Sequence, residues 1–299
     1  MALDTIGTAL VRRHIGRRLT ALRERSGLTQ EQAAAALDKG RSTIVRMEDG
    51  ADGVRFREID VKAMLEVYGA ATEERDILLA LTAETRNGRK KGWWHDYTDT
   101  ALPEWFTLYV ILEDSATAIR QYESELVPGL LQTAEYAEHL ARIPAGYVAS
   151  DDIARRVQVR MERQSLLSKP NPPKLDVVLN EAVIRRQVGS PEMFARQLRQ
   201  LSTAAQRRTI SIRILPWSAG MHGGMAASSF IMMDFPAGPH GAPLEPSLAY
   251  VETLTGAMYL NKPDEFAAYE LVWRDLRKRA LSPADSIQLI NSILEGLPR

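Results

Sequence analysis

The segment Gly27 to Gly50, GLTQEQAAAALDKGRSTIVRMEDG, constrains this chain more than any other stretch, because its spacing prescribes two short helices and the turn between them. Thr29 followed three residues later by Gln32 is a capping-box pattern, in which each side chain satisfies a backbone donor left open at a helix start. A helix is expected to begin there and to run through Ala33, Ala34 and Leu37, with Asp38-Lys39-Gly40 breaking it. A second helix from about Arg41 to Asp49 turns Ile44 and Met47 inward on one face and leaves Arg41, Ser42, Thr43, Val45 and Arg46 outward. Gly50 suits a left-handed cap at its end. The pattern is that of a helix-turn-helix.

Around this motif the first ninety residues read as helix. Val11, Ile15, Leu19 and Leu22 form a buried stripe on a helix expected over about Thr8 to Ser26. Ile59, Val61, Met64, Leu65 and Tyr68 do the same on Arg57 to Tyr68, and Ile77, Leu78 and Leu81 on Thr72 to Arg86. Charge is uneven although the chain as a whole carries none in net. Residues 1–46 hold nine basic against four acidic side chains, a balance of +5, whereas residues 47–88 stand at −5. One basic side of the N-terminal domain, binding a polyanion in a salt-sensitive way, is the expectation.

Asn87 to Gly92, NGRKKG, is polar, glycine-flanked and basic, as an interdomain linker is. Beyond it, Trp93-Trp94 and Trp105-Phe106 read as packing aromatics, with a helix near Glu104 to Asp114. Strands are expected at about Thr117 to Leu126, Leu175 to Leu179, Thr209 to Leu215, Ser228 to Phe235 and Leu248 to Leu254, the last turning at Thr255-Gly256 into Ala257 to Leu260. Helices are expected at about Ala134 to Arg142, Asp152 to Leu167, Pro191 to Gln206, Pro263 to Arg279 and Pro283 to Leu294. The fold class is therefore α+β: an N-terminal all-α, five-helix domain over residues 1–87, a linker at 88–92, and a mixed α/β domain for regulation and dimerisation over 93–299.

A major groove admits one helix, and arginine grips guanine O6 and N7 with two parallel hydrogen bonds. Arg41 and Arg46 are thus the expected base readers. Ser42 and Thr43 can bond bases or phosphates, Val45 can pack on a thymine methyl, and Gln30 lies where a phosphate would be held. Arg17, with its basic neighbours on the first helix, is a supporting phosphate contact.

Residues Ile15 to Arg86, with the LTQ start, the RSTI core and the M-E-x-G end, resemble the xenobiotic-response-element class of phage-repressor-like helix-turn-helix domains. The resemblance implies a transcription factor that binds an operator, an inverted repeat, as a symmetric homodimer. LVPGLLQTAEYAEHLAR, EAVIRRQVG, ILPWSAGMHGG, YVETLTG and ALSPADSI resemble the C-terminal domain of actinobacterial antitoxin-like regulators. That second resemblance implies a small, separately encoded partner protein.

Other chemistries leave weaker marks. His95, His139, His222 and His240 are scattered without two-ligand spacing, so no metal and no cofactor is expected. Pro216-Trp217-Ser218-Ala219-Gly220 half-matches a nucleophile elbow, with proline in place of the first glycine, and reads as a turn. The loop with Trp217, His222 and Met225 is the candidate effector or partner site, against plain loop closure between two strands. Zero cysteines fits a reducing cytoplasm. No apolar run approaches the roughly 20 residues of a membrane span, and MALDTIGTALVRRH lacks the order of a secretion signal. The expectation is a cytoplasmic, non-enzymatic DNA-binding regulator, nucleoid-associated when bound, with no membrane partner and with a possible small-molecule effector. The alternative is a DNA-targeted protein whose C-terminal domain is catalytic and hydrolase-like.

Overall fold

The computed structural model describes residues 4–50, 54–87, 104–143, 150–236, 246–254 and 256–297. The chain divides into two compact units, Met1–Tyr97 and Thr98–Arg299, and the fold is α+β. The expected linker at 88–92 and the Trp93-Trp94 pair lie outside the described residues. Among the described residues no helix is long and apolar enough to cross a membrane.

The first unit is built from α1 (Asp4–Arg25), α2 (Gln30–Ala36), α3 (Arg41–Glu48), α4 (Glu58–Val67) and α5 (Thr72–Asn87). On α1 the stripe Val11, Ile15, Leu19 and Leu22 is buried, as its steps of four, four and three residues require. Each such side chain contributes roughly 2 kcal/mol of apolar burial. The start of α2 is a complete capping box: the Gln32 amide N–H donates to the Thr29 hydroxyl at 3.2 Å, and the Thr29 N–H donates to Gln32 Oε1 at 2.9 Å. After α2 the chain reverses through Asp38 at φ 51°, a left-handed conformation that aspartate tolerates better than most side chains. Ile59 departs from expectation, standing 74% exposed. Helix α4 buries Val61, Met64, Leu65 and Tyr68 at steps of three, four and seven from Val61, and Ile59, two residues before Val61, falls on the other side of the axis.

The second unit opens with α6 (Glu104–Ser115) and β1 (Ala118–Glu123). Helices α7 (Ala134–Ala141) and α8 (Ser150–Arg163) lead to β2 (Lys174–Asn180), and α9 (Glu181–Arg185) and α10 (Pro191–Ala204) lead to β3 (Ile210–Leu215). Then come α11 (Gly224–Ala227), β4 (Phe230–Asp234), β5 (Leu248–Thr253), β6 (Gly256–Leu260), α12 (Pro263–Arg279) and α13 (Pro283–Glu295). The strands form one sheet in the order β3-β2-β1-β4-β5-β6. Its β1, β2 and β3 are parallel, and β4, β5 and β6 continue from β1 antiparallel.

Parallel neighbours need long crossovers, which α7 to α10 supply, and a parallel strand covered on both faces reads as an unbroken apolar run. Val177, Val178 and Leu179 of β2 are such a run, all fully buried. Trp273 and Leu276 of α12 close one face over Tyr122, Val178, Phe230 and Met232. The β3 edge is capped rather than left open: the Leu281 N–H donates to the Ile214 carbonyl at 2.8 Å, and the Ile214 N–H to Ser286 Oγ at 2.9 Å.

Gly50 carries two constraints at once, a φ of 60° and a position where a Cβ would lie 2.5 Å from Arg13 Cα. Gly27 has φ 74° but nothing within 4 Å of its would-be Cβ. Gly50→Ala is expected to cost the first unit roughly 2–4 kcal/mol and Gly27→Ala only about 1 kcal/mol. Urea denaturation of both variants checks the order; equal losses would mean that contact with α1 adds nothing to backbone strain.

Candidate nucleic-acid interface

Helix α3 is held from beneath by a buried charge pair. Arg23 of α1 donates from Nε to Glu48 Oε1 at 2.7 Å and from Nη2 to Oε2 at 3.0 Å, both side chains being almost wholly out of water. The same guanidinium donates from Nη1 to the Leu28 carbonyl at 2.9 Å, just before α2. Gln30 at the start of α2 donates its amide to Glu48 Oε2 at 3.1 Å. The hydrogen bond from Arg23 to Glu48 is the main reason that the Arg23 pKa is raised, and burial with the nearby Glu48 pushes the Tyr68 hydroxyl up as well. One carboxylate thus ties together α1, the entry to α2 and the end of α3. Gly16 lets α1 lie directly on that end, since a Cβ there would meet the Glu48 carbonyl at 2.4 Å and the Met47 carbonyl at 2.6 Å.

With Ile44, Met47 and Glu48 buried, the rest of α3 faces outward. At 100° per residue, Ser42, Val45 and Arg46 take the centre of the outward arc, and Arg41 and Thr43 its flanks. Ser42, Thr43 and Arg46 are exposed and Val45 is half-buried. Arg46 makes no ion pair among the described residues. Arg41 is paired with Glu31 of α2 at 2.6 Å, both about 60% exposed. So exposed a pair contributes at most about 1 kcal/mol and opens readily in favour of a stronger anion.

The basic half of the unit is less basic in space than in sequence. Arg18 and Arg25 of α1 both reach Glu74 of α5, Lys39 reaches Asp60 of α4 at 2.8 Å, and Arg23 is spent on Glu48. Much of the excess of residues 1–46 is therefore cancelled by the acids of residues 47–88. Arg17 is half-buried, donates from Nε to the Arg13 carbonyl at 3.3 Å, and is drawn down to about 10 by burial and then by Arg13, which leaves it charged at neutral pH.

In the second unit the segment from Trp217 to Met225 lies past the end of β3. Trp217 and Met225 are 62% and 69% exposed, and Arg185 stacks over the Trp217 ring at 5.3 Å. His222 instead tucks edge-on against buried Tyr122, with ring centroids 6.1 Å apart. Burial lowers its pKa, partly countered by Asp275, which accepts from the Gly223 N–H at 2.9 Å. Ser228 closes the segment at φ 58°, a strained position for a residue with a side chain. Among the described residues Ser218 makes no hydrogen bond to His222.

Residues 106–292 match the model of a family described as a domain of unknown function, DUF5753. The chain belongs to that family. Its DUF5753 region takes in the whole six-stranded sheet and most of α13. Residues 14–78 match the model of a helix-turn-helix domain, from the middle of α1 into α5, so the family region is preceded here by the architecture of a DNA-binding regulator. No curated protein and no solved structure matches the chain.

His14, at the start of the helix-turn-helix match, has no counterpart in the sequence reading. It is buried on α1, and burial, aided by Arg17 and Arg18, drags its pKa from 6.5 to about 3. The folded unit keeps it neutral, whereas the unfolded chain takes up a proton near pH 6.5. Its contribution to stability is whole above pH 6.5 and is lost as pH falls towards 3, with a slope of up to about 1.4 kcal/mol per pH unit. Urea unfolding followed at pH 7, 6, 5 and 4 should show that loss, and His14→Gln should flatten it. A wild-type slope unchanged in His14→Gln would assign the acid sensitivity to other groups.

Proposed function

We propose that this chain is a sequence-specific double-stranded DNA-binding transcriptional regulator of the xenobiotic-response-element, antitoxin-like kind. It acts as a homodimer, and its C-terminal domain serves self-association and the binding of a partner protein or small effector, without catalysis. The observation that carries the reading is the presentation of α3: one buried carboxylate fixes it against α1 and α2, while Ser42, Val45 and Arg46 are turned to solvent. Such a helix fits a major groove. Arg46 reads a base, and Arg41 leaves Glu31 to bond a base or phosphate beside it. Gln30 and Arg17 flank the groove, Gln30 chiefly by holding Glu48. The protein works in the cytoplasm, on the nucleoid when bound.

Arg46→Ala should cost specific operator binding about 1–3 kcal/mol while weakening nonspecific binding less. Fluorescence anisotropy on operator and scrambled duplexes over a salt series separates the two, and an equal loss on both would reassign Arg46 to phosphate contact. Glu31→Gln, by freeing Arg41, should leave affinity unchanged or raise it. The operator itself, found by genome-wide mapping of bound DNA and footprinting, should be an inverted repeat occupied by two protomers. A single protomer on a lone half-site in sedimentation equilibrium would contradict the dimer.

A further inference from the structure

Near the start of β3, four parts of the second unit come together without filling the space between them. They are the turn Gly129–Leu131, the turn Gln164–Ser168 that follows α8, the C-terminal part of α10, and Ile210 of β3 itself. Side chains tie them into a frame. Gln164 donates its amide to the Gly129 carbonyl at 3.0 Å and to the Gln132 carbonyl at 2.7 Å, which joins the chain after α8 to the first turn. Gln197 of α10, wholly buried, donates to the Leu131 carbonyl at 2.8 Å and accepts from the Thr133 N–H at 2.7 Å, joining that turn to α10. Arg207, just past α10, donates from Nη1 to the Leu167 carbonyl at 3.3 Å. Within this frame a cleft of about 380 Å³ is left open.

The cleft has an apolar floor and a polar rim. Leu130, Leu131, Leu167, Ala204 and Ile210 line it and are buried, whereas Ser165, Ser168 and Thr203 line it and are exposed. Among the described residues that line it none is acidic, and Arg207 alone is charged. Arg207 is exposed and makes no ion pair among the described residues. Since its Nη1 is engaged by Leu167, the edge formed by Nε and Nη2 is the one left for another acceptor. Small-molecule sites have volumes of roughly 300–1,000 Å³ and combine an apolar lining with a few polar groups that fix orientation. At ~30 Å³ per water, this cleft has room for about a dozen waters or for a ligand of about a dozen non-hydrogen atoms.

We propose that this cleft binds a small apolar monocarboxylate, an acyl or aryl acid, whose body lies on the leucine floor and whose carboxylate is gripped by Arg207. The floor favours carbon, because water over it makes few hydrogen bonds and is displaced with gain. The free edge of the guanidinium matches a carboxylate with two parallel hydrogen bonds, and the Ser165, Ser168 and Thr203 hydroxyls stand on the rim to solvate it. A phosphate monoester would bring two charges to one cation and set the rest of its oxygens over carbon. A cation would meet Arg207 with no carboxylate to hold it. The inference rests on the proposal that the C-terminal domain receives an effector, and it moves that effector from the Trp217 segment, past the end of β3, to the opposite end of the same strand.

The test is isothermal titration calorimetry of the full chain with octanoate, phenylacetate and indole-3-acetate, and with acetate, 1-octanol and octylammonium as controls. At least one of the three acids should bind at a single site with a Kd on the order of 0.1–1 mM or tighter. Acetate should not bind, and octanol and octylammonium should bind at least about fivefold more weakly than the acid. Arg207→Gln should weaken the acid by about five- to tenfold, and Thr203→Trp, which sets an indole in the cleft, should abolish binding. Arg208→Gln removes an equal charge from a residue that does not line the cleft and should leave binding unchanged. Thermal melts report whether each variant is folded, and Ser168→Trp replaces Thr203→Trp if that one is not. Binding by none of the acids, octylammonium binding as well as octanoate, or acid binding indifferent to Arg207→Gln and to the tryptophan would each overturn the assignment. Operator affinity is then measured with and without the acid. An acid that alters it equally in the tryptophan variant would place the effector outside this cleft and sink the assignment while sparing the effector reading. Binding in the cleft with operator affinity unchanged would sustain the site and count against the effector reading instead.

Discussion

Arg23 and Glu48 bury opposite charges where α1, the entry to α2 and the end of α3 meet, and the geometry of the first unit depends on that contact. Removing two charges from water costs several kcal/mol per ion, which their attraction repays only when the geometry is good and the remaining donors are used. Here they are: two bonds join guanidinium and carboxylate, a third goes to the Leu28 carbonyl, and Gln30 adds a fourth. The net gain in stability from such a pair is small. Its consequence is orientation, because α3 cannot roll or slide without breaking several charge-assisted bonds in a place water does not reach. On the function proposed above, in which α3 presents Arg46 to a base edge, that constraint matters more than added stability.

The second unit meets a different constraint. Its parallel half, β1 to β3, demands cover on both faces, and the helices between its strands provide it; its antiparallel half can leave polar groups on one face. The polar row of Glu123, Ser229 and Glu252 crosses from the last parallel strand into the antiparallel half. Arg163 with Glu113 serves structure, fastening α8 to α6.

Local rules were legible in the sequence because they depend on residues within one or two turns of each other. The Thr29–Gln32 capping box, the left-handed Gly50 and the buried stripe of α1 stand where spacing puts them. So do Pro263 and Pro283 at the starts of α12 and α13. The outward set on α3 follows from the same arithmetic. Charge did not transfer so simply. The +5 of residues 1–46 suggested a basic face, but Arg18, Arg23, Arg25 and Lys39 meet Glu74, Glu48 and Asp60 in the folded unit. Ile59 fell outside the core because apolar character alone does not settle which side of α4 a residue faces. The short helices α9 and α11 span too few residues to show a period.

By itself the sequence determined the kinds of element, most of their limits, the helix-turn-helix and the side chains that α3 turns outward. Only the tertiary structure decided the strand order, the cancellation of charge within the first unit, and the row of Glu123, Ser229 and Glu252 across three strands. The physical reason is distance along the chain. Helix caps and stripes are written in near neighbours, whereas Glu123 and Glu252 are 129 residues apart and share a row of one sheet only because β4 pairs with both strands. Nothing in the spacing of either residue marks it before the sheet has formed.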